Sequence, residues 1–161
     1  MEKPRVDRTA LVVDDDVFVL SALAELLTEE GFDVHTASNG FSASRIAVEW
    51  HPSIILLDVM LPERSGADLL TELREDPSTR ESAIIVVSAN THLLSEAQAA
   101  QADAVITKPF DVDELLNVVN RELLHAAARH VEVPPVLGLS HRSAGGRVRR
   151  TTGARRTRGR R

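Results

Sequence analysis

The feature that most restricts this chain is a rhythm. A short strand-like run is followed by a helical pattern, five times over. The apolar runs are residues 9–13, 54–57, 83–87 and 104–107, and a more polar short strand is expected at 33–37 (DVHTA). Behind the first, Val19, Leu20, Leu23, Leu26 and Leu27 recur at three- and four-residue spacing and share one helical face. Asp16 stands where an N-cap belongs, and Gly31 where a helix-ending glycine belongs. A second helix opens near Asn39 and Gly40, with the stripe Ala43, Ile46, Ala47 and Trp50. A third follows Ser65, with Asp68 completing a capping pattern ahead of Leu69, Leu70 and Leu73. A weaker, Ala-rich helix is expected over roughly 93–100. The last starts from a second capping pattern, Asp111 with Glu114, and its expected buried side is Val112, Leu115, Leu116, Val119 and Leu123. Strand and helix in alternation require parallel pairing through right-handed crossovers, with helices on both faces. The expected class is α/β, with a five-stranded parallel sheet.

The run at 54–57 (IILL) lies between Pro52 and Pro62 and reads as a strand buried on both faces. Asp58 closes it. Open α/β sheets keep their chemistry outside the carboxyl ends of their strands. Asp58 is therefore either a turn residue or a reactive carboxylate, and the other strand ends decide which. The first run ends in Asp14 and Asp15, the fourth in Ser88 and the fifth in Lys108. In such a sheet these ends converge on one rim.

Three carboxylates at close quarters repel by on the order of a few kcal/mol per pair at an effective dielectric near 20. A cation among Asp14, Asp15 and Asp58 relieves that repulsion. The donors are all oxygens, which select a hard ion, and Mg²⁺ fits because it keeps several waters and needs only one or two carboxylates. Lys108 adds an ammonium and Ser88 a hydroxyl. Metal, ammonium and hydroxyl around one carboxylate make a cradle for a phosphoryl group, with Asp58 as the nucleophile. Each residue also has a plainer reading. The aspartates could serve the helix dipole, which explains Asp16 well but not two further acids beside Asp58. Ser88 could be a turn residue and Lys108 a solvated one, although Lys108 is one of only two lysines beside 17 arginines.

In this order and spacing, LVVDDD, IILLDVMLPERSG, VVSA and TKPF resemble the response-regulator receiver domain of two-component signalling, over roughly residues 7–126. The resemblance implies a flavodoxin-like sheet with strand order 2-1-3-4-5. It implies that Asp58 is the phosphoacceptor and Asp14 and Asp15 the acidic pair, with Asp15 the more direct metal ligand. It further implies that the backbone carbonyl of Met60 completes the Mg²⁺ ligands, that Ser88 is the switch hydroxyl, and that Lys108 contacts the phosphoryl group. A cis Lys108–Pro109 bond is implied as well. The donor would be a histidine kinase or histidine phosphotransfer protein, and the receiver would be a switch rather than an enzyme. The chain departs from the family pattern at three places: Val105 stands where an aromatic residue is usual, Gln101 where a glycine is usual, and Ser65 where aspartate is commoner.

The net charge of −5 hides a split. Residues 1–128 hold 9 Lys and Arg against 23 Asp and Glu, giving −14; residues 129–161 hold 10 Arg against Glu132 alone, giving +9. The expected organisation is a receiver over 1–128, then a Pro-containing connector (VPPVLGL, 133–139) and an Arg-rich tail with too little to bury to order itself. The tail offers phosphate contact without base stacking, and a fold-back onto the acidic domain or no role at all ranks above nucleic-acid binding. There is no cysteine for disulfides or thiolate metal sites, and no apolar run long enough to span a bilayer. A cytoplasmic location is the expectation. Two rivals remain. An aspartyl-nucleophile phosphohydrolase usually carries a second acid two residues after the nucleophile, where this chain has Met60. An adaptor that works without phosphorylation finds slight support in Val105.

Overall fold

In a computed structural model, residues 6–130 are described. The elements alternate without exception through β1 (Thr9–Val13), α1 (Val17–Glu29), β2 (Asp33–Ala37), α2 (Gly40–Trp50), β3 (Ile54–Leu57), α3 (Gly66–Glu75), β4 (Ala83–Ser88), α4 (Glu96–Ala99), β5 (Ala104–Thr107) and α5 (Val112–Arg129). All pairings are parallel, and the order across the sheet is β2-β1-β3-β4-β5. The expected class and strand order both hold.

Side chains of a strand alternate between faces, so the sheet sorts its residues into two cores. Ala10, Val12, Ile54, Leu56, Ile85 and Val87 meet α1 and α5 on one side. Leu11, Val13, Ile55, Leu57, Ile84 and Val86 meet α2 and α3 on the other. Every residue of β3 and β4 is buried, the result expected of strands covered on both faces.

Helix starts follow the side-chain chemistry. The Asp16 carboxylate accepts from the backbone N–H of Phe18 and Val19. Asn39 caps α2 through Ser42, and Asp111 caps α5 through Asp113 and Glu114. Ser65 caps α3 through the N–H of Ala67, and no bond from Asp68 closes the capping box expected there. Gly31 has φ +86°, the left-handed turn that lets the chain leave α1 for β2.

Two expectations are corrected. The helix anticipated over 93–100 is a single 3₁₀ turn, Thr91–Leu93, followed by the four residues of α4. Ser95 and Gln98 form a reciprocal capping box that starts the helix late, and Leu94 before it is extended. Val112 is 49% exposed, because it is the first residue of α5 and precedes the turn that meets the sheet. The inward side of that helix is Leu115, Val119, Glu122, Leu123 and Ala126. Trp50 closes α2 half-exposed, with its ring stacked on His35 at 4.3 Å. The connector and Arg-rich tail fall outside the described residues, apart from Arg129 and His130 at the end of α5.

Candidate functional site

The carboxyl ends of β1, β3, β4 and β5 bring Asp14, Asp58, Ser88 and Lys108 together. Parallel pairing with matched register puts Val13 beside Leu57, and Ser88 beside Thr107, so the residues after these positions share an edge. Asp58 is fixed by its N–H, which donates to the Val13 carbonyl at 2.9 Å. The Lys108 N–H donates to the Ser88 carbonyl at 3.0 Å. The Lys108–Pro109 peptide is cis, as implied by the resemblance.

Side-chain geometry is closer than sequence spacing alone could show. The Lys108 ammonium donates to Asp14 Oδ2 at 2.6 Å and to Asp58 Oδ2 at 2.9 Å. The Ser88 hydroxyl donates to Asp58 Oδ1 at 3.0 Å. Asp14, Asp58 and Ser88 are all buried, whereas Asp15 is exposed. One carboxylate oxygen from each of Asp14, Asp15 and Asp58 lies within 4.8 Å of the others. That spacing and an all-oxygen donor set suit a small hard cation. Asp16, grouped with them in sequence, points instead into the cap of α1.

Burial pushes the Asp14 carboxyl above its ordinary value, against the opposing pull of Lys108 and the Asp16 N–H. Burial works the other way on Lys108, lowering its affinity for the proton. The hydrogen bonds and charges of Asp14 and Asp58 outweigh that, and the Lys108 pKa is raised. The ammonium is the counter-charge that lets two buried carboxylates share one edge.

Several contributors are not evident in the sequence pattern. The Met60 N–H donates to Asp58 Oδ1 at 2.9 Å, and the Asp16 N–H to Asp14 Oδ1 at 2.9 Å, so backbone amides orient both carboxylates. The Asn90 N–H donates to the Ser88 hydroxyl oxygen at 3.2 Å and helps set its direction. Gly66 is a steric requirement: a β-carbon there would lie 2.1 Å from the Asp58 carbonyl oxygen and 2.7 Å from the Val59 Cα. Its N–H donates to the Val59 carbonyl, packing the start of α3 on the loop behind Asp58. The glycine at the end of PERSG was the available signal.

At the three departures, Ser65 caps α3 as aspartate can. Gln101 accepts from the Thr71 hydroxyl through its side chain and from Arg74 through its carbonyl, so the position is tied down by contacts a glycine could not all make. Val105 stands 41% exposed on β5.

The family model for the response regulator receiver domain matches residues 10–120. This chain belongs to that family. The response-regulator receiver is 40% identical over 129 residues to the transcriptional regulatory protein KdpE of Mycobacterium tuberculosis, covering 78% of this chain and 56% of that protein. It is 32% identical over 130 residues to the DNA-binding regulator RpaA of Synechocystis, covering 76% of this chain and 54% of that protein. The receiver thus spans about half the length of these curated relatives. Among solved structures it resembles the response regulator TrrA of Thermotoga maritima in complex with Mg²⁺-BeF, with TM-score 0.66, 31% identity, and coverage of 71% of this chain and 98% of that one. It also resembles the receiver domain of a sensor histidine kinase from Pseudomonas aeruginosa that has a magnesium ion in its active-site cleft, with TM-score 0.66, 25% identity, and coverage of 72% and 97%.

Proposed function

We propose that this receiver accepts a phosphoryl group on Asp58 from a phosphohistidine of a histidine kinase or phosphotransfer protein, and that the modified state changes which partner it binds. The observation that carries this reading is the convergence of Lys108 and Ser88 on the two oxygens of one buried carboxylate, beside two further acids. In the transfer, an Asp58 oxygen forms a bond to phosphorus as the phosphorus–nitrogen bond breaks and its electron pair leaves with the imidazole. Lys108 moves from Asp58 Oδ2 to an oxygen of the incoming group and offsets its charge. Ser88 turns its hydroxyl from Asp58 Oδ1 to a second oxygen, drawing the loop after β4 with it.

Asp14, Asp15, Asp58 and the Met60 carbonyl would hold Mg²⁺, which when bound neutralises charge on the phosphoryl oxygens. The magnesium reported in the Thermotoga and Pseudomonas receivers supports that assignment. The receiver is read as a cytoplasmic switch that undergoes transfer and loss of one group, without turnover of a separate substrate. Among the described residues no helix is long and apolar enough to cross a membrane. The domain is taken to occupy 1–128, with 129–161 as an appendage.

Incubation with Mg²⁺ and acetyl phosphate tests this directly. One acid- and base-labile phosphoryl mass should appear in the wild type and be absent from Asp58→Asn. Labelling that survives in Asp58→Asn removes Asp58 from the role.

A second reading draws on Val105, which leaves no aromatic ring to swing inward with Ser88. Under it the protein is an adaptor whose partner affinity ignores phosphorylation. Equal affinity with and without a beryllofluoride-type mimic would favour the adaptor.

A further inference from the structure

The described chain ends at a groove. An apolar cavity of about 680 Å³ lies between the last turns of α5 and the segments entering β3 and β4. Leu124, Ala127, Pro52 and Val6 line it. Val6, Pro52 and Ser82 each precede a strand, so this is the edge of the sheet opposite Asp58. Leu124 is 60% exposed, an unusual position for a leucine flanked by the buried Leu123 and, two residues on, Ala126. His130 caps α5 and also lines the cavity, so the chain leaves the helix at the groove itself.

We propose that residues 133–139 of this same chain (VPPVLGL) occupy that groove. The segment carries Val133, Val136, Leu137 and Leu139 and no charged residue. It begins three residues after His130, a span of at most about 11 Å at roughly 3.3–3.6 Å per residue, so its first apolar side chain is within reach of the groove. Pro134 and Pro135 fix two φ angles in advance and lower the entropy lost on docking. Tethering this close gives an effective concentration on the order of millimolar, which a second copy at ordinary protein concentrations does not match. The chain's other end also arrives here through Val6, but residues 1–5 (MEKPR) include Glu2, Lys3 and Arg5 and have little to bury. With 133–139 in place, the nine arginines of 142–161 depart from the edge of the sheet farthest from the carboxylate site.

Hydrogen–deuterium exchange on the full chain tests the proposal. The amides of Val136, Leu137, Gly138 and Leu139 should exchange at least about tenfold more slowly than an unstructured chain, and Leu124→Glu should abolish that protection. Leu124→Glu should still be phosphorylated by acetyl phosphate, which shows that the domain remains folded. If that variant fails to label, Leu137→Glu decides, since it should restore free exchange at 136–139 and speed exchange in the last turn of α5. Free exchange of 136–139 in the wild type overturns the proposal. So does protection that survives both substitutions. Protection that rises with protein concentration gives the groove to a second copy, and protection of residues 2–5 in place of 136–139 gives it to the N-terminal segment; either result also overturns it.

Discussion

Lys108 and Asp14 are 94 residues apart in the chain, and the ammonium lies 2.6 Å from the carboxylate. The contact joins the end of β5 to the end of β1 across β3 and β4, and the same ammonium also donates to Asp58 at the end of β3. It gives the site a counter-charge of its own, so the acidic cluster is tolerated in the fold before any other cation arrives.

Replacing Asp14 by Asn should raise the melting temperature in EDTA at neutral pH. Its folded pKa lies above the ordinary 3.8, so folding binds a proton more tightly than the unfolded chain does. Stability linked to this group is greatest below pH 3.8 and falls as pH rises through the folded value, leaving a net cost at pH 7. The sign is what the measurement reads: removing the ionisable group relieves the burial of its charged form, so the melting temperature moves upward. Addition of Mg²⁺ should stabilise the wild type more than Asp14→Asn, which keeps Asp15 and Asp58. A lower melting temperature in EDTA for the variant contradicts this account.

Lys108→Met should act in the opposite direction. It removes two charge-assisted hydrogen bonds and leaves Asp14 and Asp58 facing each other, a loss of about 1.5–3 kcal/mol. The folded Lys108 pKa is raised above 10.5, so its contribution is complete at neutral pH and disappears only as pH climbs past that value. Denaturant melts in EDTA should show the loss at pH 7, and millimolar Mg²⁺ should recover part of it. Wild-type stability in the metal-free variant would mean that the ammonium does not hold the carboxylates.

Gly66→Ala should damage both the fold and phosphorylation. The added methyl meets backbone at 2.1 Å rather than a side chain that can swing away. Overpacking of this kind costs about 1–3 kcal/mol, and here relief requires moving the Asp58 carbonyl or α3. Acetyl phosphate labelling should slow by more than the stability loss explains under conditions where the variant is fully folded. Labelling at the wild-type rate would show that the loop yields without disturbing Asp58.

Arg74→Ala should be among the more damaging changes far from the site. The guanidinium donates to the carbonyls of Gln101, Arg80 and Ser82 and to Asp103, and Asp103 also accepts from the Ile84 N–H. Breaking this mostly buried ion pair leaves Asp103 with only the more exposed Arg129 guanidinium, 3.5 Å away, so the cost stays below the roughly 3 kcal/mol of a carboxylate left with no partner. Arg74→Lys should rescue little, because an ammonium cannot reproduce the fork that serves several acceptors. Chemical denaturation of the two variants measures both effects.

The sequence by itself determined the architecture. Unbroken apolar runs such as IILL and AIIVV suit strands buried on both faces of a covered parallel sheet, and alternation with helices sets how they connect. Asp16, Asn39, Ser65 and Asp111 announced helix starts because capping is local chemistry, readable within three residues. The four strand-end motifs located Asp14, Asp58, Ser88 and Lys108 because strand ends gather wherever a parallel sheet forms. Tertiary structure alone decided the rest. The late start of α4 is not among these, since the Ser95–Gln98 box that sets it is local and legible in the sequence. The pairing of Lys108 with Asp14, the clash that reserves Gly66, and the groove beside His130 are contacts between distant segments. No local pattern encodes them, because each depends on how two elements pack once both are in place.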